Sequence, residues 1–315
     1  MNHLIKALLI TNLVYGYSIK ADDPFIGVRH YNIQCTIPRS LNIHLVEFNL
    51  NSPGISFSVR PPGPAPHENS LKTVRDFLIE MRQIHPDARV AINGSFFGWN
   101  AAGVVSNSGL VASEGFPYSA FDSWDGLPWP AVHISQNNLP TLVQRPSPTY
   151  FGYETDPPTV LYNCISGSET LVRNGVNVAN HPGYPGDPFS NHPRTAIGFS
   201  TNKLYFITVD GRQTGISEGV TTSELADILI SFGIKNAVNL DGGGSTTLVF
   251  ADPSPRVVNV PMSSWNSNST ERAVAASWVA FAQEPTEEPK GWCLFADFEN
   301  LDENTFSQSI TASGS

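Results

Sequence analysis

The segment Asn236-Ala-Val-Asn-Leu-Asp-Gly-Gly-Gly-Ser-Thr-Thr-Leu-Val-Phe250 sets three consecutive glycines between two β-prone runs. Glycine takes positive φ without a steric penalty and lets a ligand approach the main chain. The segment therefore reads as strand, tight break, strand, with the carboxylate of Asp241 at the end of the first run. Successive N–H groups in such a break can form an anion-binding concavity. The plain alternative is a glycine-rich β-turn in which Asp241 is only the turn residue.

Bulk properties narrow the class. With 315 residues there is ample chain for one large domain or two modest ones. The formal net charge is −10, and no basic stripe stands out to neutralise phosphates, which argues against nucleic acid as a partner. Glycine and proline number 25 each while charged residues make up only 15%, a turn-rich balance typical of β-rich, often exported chains. The three cysteines, Cys35, Cys164 and Cys293, are far apart, so a cysteine zinc site is not expected and at most one disulfide can form.

The N-terminus has the pattern of a secretory signal. Lys6 precedes an apolar run over residues 7–17, and a cut after Ala21 is expected, although Ile19-Lys20-Ala21 is not the preferred small-x-small site. That run is too short for an ordinary spanning helix, and no transmembrane span is expected in the mature chain. The organisation predicted is a signal peptide over 1–21, one domain over 22–282, an acidic proline-containing linker over 283–290, and a tail or the start of a further module over 291–315.

Along the chain, residues 27–60 alternate in short strand-like runs, followed by a proline-rich loop over 61–66. Ser70 is the predicted N-cap of a helix whose apolar face is Leu71, Val74, Leu78 and Met81, ending at His85 before Pro86. A buried strand over 88–92 ends in Asn93-Gly94-Ser95. Residues 98–157 read as a long irregular region containing Trp99, Tyr118, Trp124 and Trp129, whose rings either anchor loops or stack on sugars. A hairpin over 195–210 is flanked by Arg194 and Arg212 at one end. Thr221-Thr-Ser-Glu224 predicts a capping box, with Gly233 as the helix stop and 211–219 as a polar loop before it. Glu271 opens the last core strand, which runs to Phe281. The fold class expected is α+β: a mixed or antiparallel sheet core with a few packed helices, and a site at strand ends and long loops.

Several chemistries are excluded by pattern. There is no HExxH or GxxxxGK[ST], and the eight histidines lack metal-ligand spacing. His192 beside Arg194 is the most notable of them, with a structural role the plainer reading. Asn93, Arg194, Asp210, Arg212, Asp241 and Glu271 remain, each at the end of an apolar run. Singly, each has a bland reading as a turn residue, an ion-pair partner or a solvated strand start.

Five segments occur in order: Ala91-Ile-Asn-Gly-Ser-Phe-Phe97, Pro193-Arg-Thr-Ala-Ile-Gly198, Val209-Asp-Gly-Arg212, Asn239-Leu-Asp-Gly-Gly-Gly-Ser-Thr-Thr247 and Glu271-Arg-Ala-Val274. Together they resemble the phosphodiester glycosidase family over residues 27–282. Two departures stand out: Ser95 occupies a position that is more usually glycine, and the C-terminal modules of the family's animal member are not evident.

The resemblance implies hydrolysis of a sugar joined at C1 to a phosphodiester, of the N-acetylglucosamine-1-phosphodiester type, releasing free sugar and a phosphomonoester. A phosphomonoester has a second pKa of about 6 and leaves with little protonation, so cationic donors matter more than a strong general acid. Asp241 is the first candidate for the carboxylate at the anomeric carbon, with Glu271 and Asp210 after it. Arg194 and Arg212 are candidates to grip the phosphate. Asn93, Ser95, Thr195, Gly242, Gly243, Gly244, Ser245 and Thr246 are candidates for substrate binding.

No cofactor or metal is expected on this reading. Two other readings remain open. One is a metal-dependent phosphodiesterase cleaving P–O, with Ca²⁺ or Mg²⁺ held by Asp210, Asp241 and Glu271. The other is a non-catalytic carbohydrate-binding or exopolysaccharide-assembly protein. A glycan or sugar phosphate is the expected partner, and the chain is expected to be secreted, periplasmic or otherwise exported. Asn93-Gly-Ser95 and Asn268-Ser-Thr270 match the glycan acceptor pattern, but Asn93 follows a buried run and is the better site candidate.

Overall fold

The computed structural model describes residues 15–61, 71–99, 103–121, 129–147, 149, 152–179, 187–262, 271–285 and 293–295. Ser70, Trp124, Asn268 and most of the proline-rich loop and of the linker lie outside them.

The strands that position the site are buried on both faces, and their sequences show why. In Leu41–Asn49, Val46 and Phe48 enter one core while Ile43 and Leu45 enter another. In Ala88–Asn93, Val90 and Ile92 face the first core and Ala91 faces a third. A strand covered on both sides loses polar alternation and reads as a continuous apolar run. Burying an aliphatic or aromatic side chain contributes roughly 1.5–3 kcal/mol, so these runs also carry much of the stabilisation.

Two antiparallel sheets make the frame. The larger has nine strands in the order Val176–Asn177, Glu169–Arg173, Asn236–Asn239, Arg194–Phe199, Lys203–Val209, Leu41–Asn49, Val28–Ile37, Tyr15–Phe25 and Cys293–Phe295. The second has five: Pro255–Val257, Leu248–Ala251, Ala88–Asn93, Ser277–Phe281 and Ser56–Arg60. Phe48, Phe206, Ile197 and Val238 of the first sheet meet Phe57, Ile92, Phe250 and Trp278 of the second in a shared core.

Each sheet carries one helix on its other face. Helix α1, Val74–Ile84, buries Val74, Phe77, Leu78 and Met81 in one cluster with Ala91, Val249 and Val279. Helix α2, Thr222–Ser231, sets Leu225, Ile228 and Leu229 in one cluster with Leu45, Ile207 and Ala237.

The helix signals resolve locally. Thr221 and Glu224 form the predicted capping box, and Gly233 follows α2 at a φ of 77°. Helix α1 starts later than expected, because Thr73 is its cap: the Thr73 hydroxyl accepts from the Asp76 N–H at 3.0 Å. Lys72 is instead drawn into a bridge with Val274. The predicted hairpin is present, with Arg194 opposite Val209, so Arg194 and Arg212 do lie at one end.

Three expectations are corrected. The antiparallel core is as predicted, but two α-helices and a 3-10 turn among the described residues make the chain mainly β, so α+β overstates its helical share. Much of the region 98–157 is not irregular: Val111–Ser113, Phe116–Ser119, Ala131–Ile134 and Pro140–Val143 join Asn163–Ser166 in a third sheet of five strands. These strands are only three or four residues long, too short for alternation to register. Glu271 does not open the last core strand, which begins at Ser277.

The expected leader cut after Ala21 falls within the strand Tyr15–Phe25, where Ala21 is buried and stands opposite both Tyr31 and Cys293. Cys35 and Cys164 are free, buried thiols, and burial pushes both well above the usual thiol range. No helix of the described residues is long and apolar enough to cross a membrane.

Candidate active site at the crossover between the sheets

Asn236–Asn239 belongs to the larger sheet and Leu248–Ala251 to the second, so the chain from Leu240 to Thr247 crosses between them. Both sides pin this crossover. Leu240 donates its backbone N–H to the Thr195 carbonyl at 2.9 Å and Gly243 to the Pro193 carbonyl at 2.8 Å, while Asp241 donates to the Gly94 carbonyl at 3.1 Å. Gly243–Ser245 closes into a 3-10 turn. Gly242 is required because a Cβ there would stand 2.7 Å from the Pro193 carbonyl oxygen. Gly243 has a φ of 57°, and a Cβ on it would meet Arg212 Nη1 at 3.0 Å.

Asn93 is the bracket of the crossover and is fully buried. Its Nδ2 donates to the Asp241 carbonyl at 2.6 Å, and its Oδ1 accepts from Thr195 Oγ1 at 2.9 Å and from the Thr247 N–H at 3.1 Å. A glycan acceptor must be exposed, so Asn93 is not one. Ser95 is buried and donates to Asn107 Oδ1 at 2.9 Å.

Asp241 is buried, with 8% of the residue exposed. Burial pushes it up to about 6, against the Ser245 hydroxyl, the charge of Arg272 and the Gly242 N–H, which pull it down. Arg272 lies with its guanidinium 5.1 Å from the Phe97 ring centroid and donates Nη1 to Ser245 Oγ at 3.4 Å. Phe97 in turn meets Trp99, which is 60% exposed, at 6.0 Å between ring centroids. The Arg212 guanidinium, on which Gly243 would intrude if it bore a side chain, faces His192 Nδ1 at 3.3 Å from Nη2. That nitrogen must accept, so the neutral ring keeps its proton on Nε2, which faces Asp187 at 3.5 Å. Burial, then Arg212 and Arg194, hold His192 below its usual range.

The structure thus gathers Asp241, the glycine turn, Ser245, Asn93, Thr195 and Arg212, and adds Arg272. It disposes the other candidates differently. Arg194 is buried and donates to the carbonyls of Val220 at 3.0 Å, Asp187 at 2.7 Å and Ser190 at 2.9 Å, bracing the loop before it. Asp210 is buried and accepts from Asn42 at 2.6 Å, Asn259 at 2.8 Å and the Val260 N–H at 3.0 Å. Glu271 pairs with Arg75 at 2.6 Å, with its Oε2 buried and without a hydrogen bond. Thr246 offers its carbonyl to Asn259 at 3.1 Å.

No group of three His, Cys, Asp or Glu side chains able to hold a metal occurs among the described residues, so Asp210, Asp241 and Glu271 are not assembled as a ligand set.

Arg272, Asn42 and Asn259 escaped the sequence reading. Arg272 stood inside a quoted segment but was overshadowed by the neighbouring carboxylate. The two asparagines carry no local signal, since their partners are 168 and 49 residues away.

A fold whose main sheets meet at a carboxylate-bearing glycine turn between two arginines defines a class of candidate hydrolase for anionic substrates. Residues 86–281 match the model of the phosphodiester glycosidase family, well over half of the chain, and the protein belongs to that family. The human N-acetylglucosamine-1-phosphodiester alpha-N-acetylglucosaminidase is 29% identical over 218 residues, covering 62% of this chain and 37% of that protein. The chain thus spans little more than a third of this curated relative. Among solved structures, the zebrafish catalytic domain of the enzyme of that name, auto-inhibited by its pro-peptide, superposes with a TM-score of 0.57 at 22% identity, covering 88% of this chain and 91% of that one. A protein of Burkholderia pseudomallei superposes at 0.56 with 15% identity, covering 79% and 75%. At these identities the structural likenesses establish the fold.

Proposed function

We propose that the protein hydrolyses a sugar-1-phosphodiester of the N-acetylglucosamine type at the anomeric C–O bond, giving free sugar and a phosphomonoester. The observation that carries this reading is the buried Asp241 carboxylate, raised to about 6, on a glycine turn flanked by the guanidinium groups of Arg272 and Arg212. Cleavage builds positive charge on the sugar ring and negative charge on the departing phosphate. Asp241 meets the first, as base for water or as nucleophile, and the two arginines meet the second. Phe97 and Trp99 give an aromatic surface beside the phosphate for the remainder of the substrate. Asn93, Thr195, Asp210 and Arg194 hold this frame in place.

The test is incubation with N-acetylglucosamine-α-1-phospho-6-mannoside in ¹⁸O-water, with products resolved by mass. N-acetylglucosamine carrying the label plus unlabelled mannose 6-phosphate is expected. Label in a phosphate product means P–O cleavage and overturns the reading. Tight binding with no turnover would instead make this a binding protein.

Export belongs to the same proposal, resting on Lys6 and the apolar run after it. The mass of the chain recovered outside cells tests it. A cut after Ala21 leaves Asp22 as the first residue.

A further inference from the structure

A file of buried polar side chains runs through the larger sheet to the crossover. Asp210 Oδ2 faces Asn42 Nδ2 at 2.6 Å, and that nitrogen also faces His44 Nε2 at 3.3 Å. His44 Nδ1 faces His30 Nε2 at 3.0 Å, and His30 Nδ1 faces Asp22 Oδ1 at 3.1 Å. The imidazole rings stack nearly parallel, 5.2 Å apart, and the Phe250 ring meets His30 edge-on at 4.9 Å. Polar groups this deep are costly unless each finds its partner.

Chemistry fixes the direction of every bond. A carboxylate only accepts, so Asn42 turns its NH₂ to Asp210. The other hydrogen of that NH₂ points at His44, whose Nε2 must accept. A neutral His44 then carries its proton on Nδ1 and donates to His30 Nε2. His30 carries its proton on Nδ1 and donates to Asp22. Both rings are thus neutral: Asn42 donates both to Asp210 and to His44, and from His44 each ring donates onward to end on Asp22. Burial, and then the neighbouring His30, pushes His44 down to about 3, in keeping with a neutral ring.

The groups that face the pair are Asp22 on the first strand, Asp210 through Asn42, Asn32 and Thr208 opposite His44, and Val46 opposite His30. Reversing one tautomer sets donor against donor at the next position. The chain of clashes ends with Asn42 presenting its Oδ1, which has no hydrogen bond, to the Asp210 carboxylate.

Beyond Asp210 the file reaches the site. Asn259 donates Nδ2 to Asp210 Oδ1 at 2.8 Å and to the Thr246 carbonyl at 3.1 Å, while its Oδ1 accepts from the Leu248 N–H at 2.8 Å. Thr246 follows Ser245, whose hydroxyl contacts Asp241. We infer that Asn42, His44 and His30 are positioning residues, a hydrogen-bond file of fixed polarity that holds Asp210 as an acceptor and, through Asn259, sets the turn bearing Asp241. This rests on the reading of that turn as the reacting site.

Nitrogen-15 spectra of the full chain at neutral pH test the file without any substrate. They are expected to show both rings protonated on Nδ1 alone. A His44 protonated on Nε2, or a doubly protonated ring, overturns the inference. Asn42→Leu, and Asp22→Leu at the partly exposed end should the first fail to fold, are then compared with the parent. Either is expected to move the Gly243, Gly244 and Ser245 amide resonances, and amides unmoved in the variant that folds overturn it.

With N-acetylglucosamine-α-1-phospho-6-mannoside as the probe, Asn42→Leu is expected to lower kcat with KM little changed. Burial already pushes Asp210 up to about 6, and without the Asn42 donor its protonation adds to that of Asp241, so the acid limb of the kcat profile should move up by about one pH unit. A parallel loss at all pH values marks a merely structural role. If the parent protein does not turn over this probe, the functional reading fails while the spectra still decide the file.

Discussion

Asn93 donates its side-chain amide to the Asp241 carbonyl at 2.6 Å, so the carboxylate at the crossover is placed by the last residue of a strand in the opposite sheet. The same side chain receives Thr195 and Thr247. Asn93→Ala strands buried groups on three segments, each worth roughly 1–3 kcal/mol when orphaned and not additive. Destabilisation by about 3 kcal/mol is expected, read as a lower urea midpoint at constant m. Asn93→Asp should do no better, because a carboxylate cannot donate to the Asp241 carbonyl. A midpoint near that of the parent for the alanine variant would show that these bonds do not place the turn.

Asp241 gives a prediction with two signs. Its pKa is raised from 3.8 to about 6 by burial, so the folded chain keeps a proton there that the unfolded chain has lost. That contribution is fully present below about pH 4 and is lost as pH rises through 6. Asp241→Asn removes it, so the variant should gain stability relative to the parent between these values, by up to about 3 kcal/mol, and hold a constant lead above. Turnover runs the other way. The parent's kcat should rise with pH through about 6, and the variant should lose at least about 100-fold. Full turnover in a folded Asp241→Asn would remove this residue from the chemistry.

What could be read from the sequence follows the range of the interactions. The capping box at Thr221 and Glu224 and the hairpin from Arg194 to Val209 are local, and both stood out. The Asp241 turn stood out because three successive glycines have few structural explanations. The third sheet did not, because its strands are three or four residues long and pair across distant loops. The same holds inside the site. Arg194 and Arg212 look equivalent at the ends of one hairpin, yet burial commits one to three carbonyls and leaves the other half-buried against the turn. The polar file runs over three strands consecutive in sequence from Asp22 to Asn42 and then crosses 168 residues to Asp210, a step no spacing rule announces.

Gly243 tests the relation between turn and cation. Its φ of 57° is unfavourable for a side chain, and a Cβ would press on Arg212 Nη1 at 3.0 Å. Gly243→Ala should cost about 1 kcal/mol for the backbone. The guanidinium is the end of a flexible side chain and can yield, so the larger effect should be on phosphate recognition. Inhibition by mannose 6-phosphate is expected to weaken several-fold in this variant and in Arg212→Gln, with little further loss in the double variant. Additive losses would separate Arg212 from the turn.

Arg272 is the residue whose removal should move the pH profile most directly. Its charge lowers the Asp241 pKa against the burial that raises it, and its Nη1 reaches the Ser245 hydroxyl that contacts the same carboxylate. Arg272→Gln withdraws the charge and leaves burial less opposed, so Asp241 should hold its proton to a higher pH than in the parent. The acid limb of kcat is expected to move upward, and KM for the phosphodiester to rise because a cation is lost from the phosphate side. Arg272→Lys restores the charge but not the flat guanidinium that lies over Phe97, so it should recover the position of the acid limb more fully than KM. Profiles of the three proteins at one ionic strength decide this. If the glutamine variant keeps the parent's acid limb, the field of Arg272 does not set the protonation of Asp241, and the two must act on the substrate independently.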